Sequence, residues 1–158
     1  MNNYTIDNNI LARLCDNYPR DIFLSFWERF ESYAENKRFI LHQEVRNELI
    51  AKKGSDDEYF QYIDKLGLFL TAEKSYSVQN QNIVKEIAQR KQFVFDGVVN
   101  KTNWADPWLI ALARNNNLSI ITSENPDPKR DKLPKIANEF GVKCLNIKEF
   151  FENEGWKF

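Results

Sequence analysis

The sequence predicts an α/β protein with a mainly parallel central sheet and helices on both faces of the sheet. Short β-prone segments alternate with segments whose apolar residues recur at three- and four-residue spacing. Parallel strands joined by helices must cross over in the right-handed sense, which limits how the sheet can be wound. The length of 158 residues and a hydrophobic content of 42% suit one core. We therefore expect a single domain over residues 1–158.

The first half of the chain is predicted to begin with a strand and to continue mainly as helices. The apolar stripe Phe23, Phe26, Trp27 and Phe30 has helical spacing, and Gly54 is a typical helix end. In order, we expect a strand over residues 4–7, a helix from residue 10, a helix capped by Asp21, a brief strand over 39–41, and helices over 44–53, from 56–57 and over 77–91.

The second half carries the clearest strand and helix alternation. The segment Leu-Ser-Ile-Ile-Thr is a strong signal for a buried strand, and Pro107 suits the first turn of a helix. In order, we expect a β-prone segment at 92–95, a loop at 97–103, a helix over 105–115, a strand over 118–122, a polar loop at 125–132, a helix over 133–140 ended by Gly141, a strand over 142–147 and a helix over 148–153.

Composition restricts the location and the partners. No signal peptide is recognisable, and no apolar run is long enough to span a bilayer, so we expect a cytoplasmic protein with no membrane contact. Cys15 and Cys144 lack metal-type spacing and are expected to be free, mostly buried thiols. The formal net charge of −1 argues against a broadly basic surface. Any nucleic-acid contact must therefore come from a local patch.

Four acidic residues are candidates for a functional site. Ligands of open α/β sheets bind beyond the carboxyl ends of the strands, where Asp7 and Glu124 are expected. Asp106 precedes a helix, and Glu48 falls at the margin of an apolar helix face. Each has a structural alternative: helix capping for Asp7 and Asp106, an exposed pair with Lys52 for Glu48, and a polar loop position for Glu124.

The segments around these acids resemble the four acidic motifs of PIN domains, in the same order along nearly the whole chain. The third motif is the most specific of the set. Two positions differ, because many PIN domains have Ser or Thr where this chain has Asn8, and Asp where it has Glu124. The matching segments are YTIDNNIL (residues 4–11), VRNEL (45–49), ADPWLIALA (105–113) and IITSEN (120–125).

The resemblance implies a three-layer α/β/α PIN-like fold and a metal-dependent endoribonuclease. Four clustered acids repel one another unless a cation neutralises them, and all-oxygen ligands favour Mg²⁺ or Mn²⁺. The metal would activate a water that hydrolyses an RNA phosphodiester bond. Asn8 or Thr122 could hydrogen-bond a ligand carboxylate. Small stand-alone PIN proteins are often toxins of type II toxin-antitoxin pairs, which implies an antitoxin partner and a possible homodimer.

Several further residues are candidates for holding RNA. The basic residues after Glu124 could contact phosphates, although a solvated loop explains them equally well. Trp104 and Trp108 could stack an unpaired base, with core packing as the alternative for Trp108. His42 is more consistent with a helix entry or the surface than with catalysis. The basic residues are Lys129, Arg130, Lys132 and Lys135.

Two other functions compete with the ribonuclease. One is a degenerate PIN-like module that binds RNA or protein without cleavage. The other is a phosphotransfer domain that uses Asp7, either a haloacid-dehalogenase-like phosphatase or a receiver domain. Both are disfavoured, because the phosphatase expects a second Asp where Asn9 stands and the receiver domain expects paired N-terminal acids. No phosphate-binding loop or dinucleotide fingerprint is present in the sequence.

Overall fold

The computed structural model describes residues 1–89, 105–124 and 133–158. Within these ranges the elements are the strands β1 (Tyr4–Ile6), β2 (Ser119–Ile121) and β3 (Cys144–Leu145) and the helices α1 (Asn8–Asn17), α2 (Leu24–Glu35), α3 (Gln43–Lys53), α4 (Glu58–Lys65), α5 (Ala72–Ser75), α6 (Val78–Ala88), α7 (Asp106–Asn116), α8 (Leu133–Glu139) and α9 (Ile147–Glu154). The prediction of an α/β protein with a parallel sheet is confirmed, since the three strands run parallel in the order β1-β2-β3.

The sheet continues beyond β1 through single parallel bridges. Tyr4 pairs with Phe39, and Leu41 pairs with Phe69, so two further extended segments lie beyond β1. The chain therefore leaves β1 towards one edge and returns on the other side of β1 to form β2. The strand order reverses between β1 and β2, which is where open α/β sheets place their ligands.

Aromatic side chains pack against one face of the sheet. Tyr4 meets Phe150 of α9 edge to face with ring centroids 4.9 Å apart, and Phe30 of α2 lies 4.9 Å from Phe39. Such pairs add to the free energy gained from burying their area. Helix α7 contacts both β1 and β2 and packs along α6. Its central residues are almost fully buried, which explains why the segment is apolar on most sides.

Helix boundaries follow the expected chemistry in most places. Gly54 ends α3 with a φ of 92°, in the left-handed region that favours glycine. Asp57 caps α4 by accepting a hydrogen bond from the Phe60 N–H. Both cysteines are free, Cys15 buried and Cys144 partly buried. None of the described helices combines the length and apolar character needed to cross a bilayer.

Several predicted boundaries are wrong. The helix predicted from residue 10 begins at Asn8, and the one predicted over 77–91 ends at Ala88. Asp21 does not cap α2, which begins at Leu24 after a turn closed by the Phe23 N–H on the Pro19 carbonyl at 2.9 Å. The strand predicted over 142–147 is restricted to Cys144–Leu145, because Asn146 is already the N-cap of α9. The expectations for residues 92–95, 97–103 and 125–132 lie outside the described residues.

Candidate metal centre

Asp7 and Thr122 lie side by side at the carboxyl ends of β1 and β2. The Asp7 N–H donates to the Ile121 carbonyl at 2.9 Å, which extends the strand pairing to the site. The Thr122 hydroxyl donates to Oδ2 of Asp7 at 3.0 Å. Asp7 is 4% exposed and Thr122 1% exposed. Although Asp7 occupies the N-cap position of α1, its carboxyl makes no direct capping hydrogen bond, and the nearby N–H groups of Asn9 and Asn8 only partly offset the burial that raises its pKa. Capping alone therefore does not explain this buried carboxyl.

Asp106 is the first residue of α7 and not its cap. Ala105 occupies the N-cap position, and its carbonyl accepts from the Leu109 N–H at 2.9 Å. The capping alternative for Asp106 is therefore wrong, because the helix begins one residue earlier than that alternative needs. Among the described residues, no hydrogen bond reaches the Asp106 carboxyl.

The pKa of the Asp106 carboxyl is raised well above its ordinary value. Burial is the largest cause, and the negative charges of Asp7, Glu124 and Glu48 each add to it, in that order. Since electrostatic repulsion of this kind requires proximity, the carboxyl of Asp106 shares its surroundings with the other three. The four acids predicted from sequence thus form one electrostatic cluster, here called the acid cluster.

Glu48 connects α3 to the start of α7. Its Oε1 accepts a hydrogen bond from the Ala105 N–H at 3.1 Å. Burial is the main cause that raises the pKa of Glu48 to about 7, and the charge of Asp7 also raises it. The Lys52 ammonium donates to Oδ1 of Asn9 at 3.3 Å. Glu48 is therefore partly buried and bound to backbone, which differs from the exposed pair considered above.

Glu124 lies just beyond β2 and contacts the start of α8. Its N–H donates to the Thr122 hydroxyl at 3.2 Å, and its Oε2 accepts from the Leu133 N–H at 3.1 Å. Burial is the largest cause that raises the pKa of Asp7 to about 6. The hydrogen bond from Thr122 lowers this pKa, and the negative charge of Glu124 raises it. Glu124 is therefore an anchored member of the acid cluster and not a free loop residue.

The donor set of the acid cluster fits a hard divalent cation. All its ligands are oxygens, and the adjacent Oδ1 of Asn8 is a buried acceptor with no hydrogen-bond partner. A buried polar atom without a partner costs free energy unless a ligand or water satisfies it. Carboxylate and amide oxygens are the ligands that Mg²⁺ and Mn²⁺ prefer.

The side chains are not arranged as a coordination shell. Within the described ranges, no three His, Cys, Asp or Glu side chains stand where they could hold a metal ion together. Glu48 and Glu124 each direct one oxygen to a backbone N–H and keep a second oxygen for another partner. The fold therefore places the four acids close enough for their charges to interact, while cation binding requires their carboxyl groups to reorient.

The remaining candidate residues are tied to the acid cluster by fewer contacts, or lie outside the described residues. The side chain of Asn8 is buried next to Asp7 and makes no hydrogen bond to a carboxylate. Lys135 lies in α8. Trp108 is half-buried, with its ring 5.0 Å from that of His42. Core packing explains it better than an exposed stacking platform. Trp104, Lys129, Arg130 and Lys132 lie outside the described residues.

His42 is a helix-entry residue, as one of its two interpretations predicted. Its Nδ1 accepts from the Glu44 N–H at 2.9 Å, and its Nε2 lies 2.7 Å from the Ser75 carbonyl. The ring is fully buried, so the surface alternative is wrong. The contact with the neighbouring N–H requires an unprotonated Nδ1, which makes His42 a neutral structural residue.

A comparison with known proteins identifies the family of the chain. A family model described as "Domain of unknown function (DUF4411)" matches residues 4–158. No curated protein and no solved structure gives a significant match. Because the family match covers nearly the whole chain, the protein belongs to the family described as Domain of unknown function (DUF4411).

Proposed function

We propose that this protein is a metal-dependent endoribonuclease with a three-layer PIN-like fold. One observation carries the proposal: the four acids lie together where the strand order reverses, so that burial and the charges of Asp7, Glu124 and Glu48 raise the pKa of Asp106. A cluster of four acids raises the free energy of the folded chain unless it binds a cation or protons. Such a cost is typical of functional sites.

Asp7 and Asp106, with Glu48 and Glu124, would hold Mg²⁺ or Mn²⁺. The bound metal would supply an activated water and charge stabilisation for the departing oxygen. Thr122 keeps the Asp7 carboxyl oriented, since it donates to Oδ2 at 3.0 Å. The Ala105 N–H holds one oxygen of Glu48 and so fixes the distance between α3 and α7. No side chain of the chain is required as a nucleophile.

The biological role that we propose is that of a toxin in a type II toxin-antitoxin pair. It rests on the resemblance to small PIN proteins, and it implies RNA as substrate, a neutralising antitoxin and a possible homodimer, all in the cytoplasm. Lys129, Arg130, Lys132 and Lys135 are proposed phosphate contacts, because sequence-independent RNA affinity depends mainly on Lys and Arg.

Purified protein tests the enzymatic proposal directly. RNA is incubated with wild type, Asp7→Asn, Asp106→Asn and the control Asp56→Asn, which alters an exposed acid. We expect cleavage by wild type and the control in Mn²⁺ or Mg²⁺, none in EDTA, and a loss of at least about 100-fold in both cluster variants. Equal cleavage by all four proteins would contradict the proposal. Expression of the same variants tests the toxin role through growth arrest and RNA decay.

A second candidate is a PIN-like module that binds RNA or protein without cleavage. The absence of a ready coordination shell among the described residues favours it, as do Asn8 and Glu124 at positions where many PIN domains differ. RNA binding that persists in EDTA, with no cleavage in any divalent metal, would select this module over the nuclease.

A further inference from the structure

A cleft of about 300 Å³ lies between α1 and the connection from β3 to α9. Ser123, which contributes to its wall, stands between Thr122 and Glu124 in the chain. Its apolar lining comes from Ile10, Leu14 and Ile147. The volume is at the lower end of ligand sites, so the cleft has room for one nucleotide and none for a duplex.

The cleft carries an available positive charge. Arg13 lines it and is exposed, and no carboxylate forms an ion pair with Arg13 among the described residues. Asn9, Arg13 and Asn17 follow at four-residue spacing and therefore share one face of α1. Lys52 donates to Asn9 at the cluster end of that face. Arg13 and Lys52 thus both lie at the face of α1 that carries Asn9 and Asn17.

The remaining polar lining suits a base and a sugar. Tyr18 is held by stacking on Phe26, with ring centroids 4.9 Å apart and planes inclined by 18°. A fixed aromatic ring beside a cationic groove is the usual device for binding single-stranded nucleic acid. Asn17 and Ser123 offer amide and hydroxyl groups that can hydrogen-bond base edges and a 2′-hydroxyl. Asn146 offers its amide NH₂, since its Oδ1 already accepts from the Glu149 N–H.

We propose that this cleft binds one nucleotide of a single-stranded RNA, next to the phosphate that lies at the acid cluster. Arg13 contacts the phosphate of that nucleotide, and Tyr18 with its polar neighbours contacts the base and sugar. The inference rests on the proposed function, because it takes the acid cluster as the place of cleavage. It adds a nucleotide-binding cleft outside the acid cluster and the residues that form it.

Binding of a short unstructured RNA oligonucleotide tests the inference. Fluorescence anisotropy compares Arg13→Ala with Lys143→Ala, both in the full-length Asp106→Asn background that prevents cleavage. Lys143 is exposed and stands at the amino end of β3, whereas the cleft lies beyond the carboxyl end of that strand. We expect Arg13→Ala to weaken binding by roughly 5- to 20-fold and to reduce the slope of log Kd against log salt by about 0.7, the loss of one phosphate contact.

The binding experiment can either support the inference or overturn it. Unchanged binding by Lys143→Ala, and weaker binding to the DNA of the same sequence, support the inference. Equal affinities of the two variants, equal affinity for RNA and DNA, or no RNA binding overturn it. Arg13 is exposed, so circular dichroism should show an unchanged melting temperature and exclude misfolding.

Cleavage kinetics separate this inference from the proposed function. In the otherwise wild-type protein, Arg13→Ala should raise KM and leave kcat nearly unchanged, because it removes binding shared by substrate and transition state. If wild type and Asp106→Asn both leave the RNA intact, the proposed function fails while the binding result stands. If wild type cleaves and Arg13→Ala matches Lys143→Ala, only the inference about the cleft fails.

Discussion

The Thr122 hydroxyl bridges two strands by donating to Oδ2 of Asp7 at 3.0 Å while it accepts from the Glu124 N–H at 3.2 Å. This single side chain connects two members of the acid cluster, one through its carboxyl and one through its backbone. Because Thr122 and Asp7 are both buried, water is a poor substitute for either bond.

Thr122→Val should therefore destabilise the protein. It keeps the shape of the side chain and leaves the Asp7 carboxyl and the Glu124 N–H without this partner. We expect the free energy of unfolding in urea to fall by about 1 to 3 kcal/mol.

Thr5 in β1 offers a matched control for that change. It is fully buried like Thr122, but its hydroxyl has no hydrogen-bond partner. Thr5→Val removes a buried polar group that satisfies nothing, so it should be neutral or stabilising. An equal loss of stability in both variants would show that the hydrogen bonds of Thr122 contribute little.

Asp106→Asn should stabilise the metal-free protein at high pH. An acid whose pKa is raised by folding contributes its full stability below its unfolded pKa, and that contribution is lost as pH rises through the folded pKa. At pH 8 we expect the variant to melt roughly 2 to 8 °C above wild type in EDTA. Near pH 4 the difference should disappear. A lower melting temperature at pH 8 would refute the repulsion among the four acids.

Asn8→Ala separates stability from metal affinity. Oδ1 of Asn8 is buried and unpartnered, so its removal should leave the metal-free protein as stable as before or slightly more stable. If this oxygen serves the metal or its bound water, affinity for Mn²⁺ should fall by about 10-fold. Asn9→Ala is the control, since Asn9 accepts from Lys52 and should leave metal affinity unchanged. Equal metal affinities of the two variants would remove Asn8 from the site.

His42 should titrate far below an ordinary histidine. Burial lowers its pKa to about 4, although the hydrogen bond to the Ser75 carbonyl raises it. The contribution of the neutral ring to the free energy of unfolding is therefore complete above pH 6.5 and is lost as the pH falls towards 4. The shift is equivalent to about 3 kcal/mol. Proton NMR can follow it without assignment, because the chain has a single histidine. A midpoint near 6.5 would contradict the buried, neutral ring.

The sequence predicts where two of the four acids lie in the fold, because their positions follow from the order of the strands. Asp7 follows β1, and Glu124 follows β2, so a parallel sheet places both beyond its carboxyl edge. The sequence did not predict the hydrogen-bond partners of each carboxyl group. The bond from the Ala105 N–H to Glu48 joins residues 57 positions apart and depends on how α3 packs near α7.

The errors in element boundaries have local explanations. Asn146 and Glu149 form a capping box, a signature that was present in the sequence and would have ended the last strand earlier. Asp21 has no Glu or Gln three residues later, and the turn after Pro19 delays the helix. The brief strand predicted over 39–41 corresponds to the extended segment that pairs with Tyr4 and Phe69, whereas the segment at Phe69 is too short for any periodic signal.

Mn²⁺ binding, measured by electron paramagnetic resonance as the loss of the free-ion signal, tests the acid cluster most directly. Wild type and Asp56→Asn should bind Mn²⁺ at pH 8 and bind it more weakly at pH 5.5, because protons compete where the pKa of Asp7 is raised to about 6 and that of Glu48 to about 7. Asp106→Asn should lose the binding at both pH values. Equal Mn²⁺ binding by Asp106→Asn and wild type, or none by wild type at pH 8, would contradict a metal centre at these four acids.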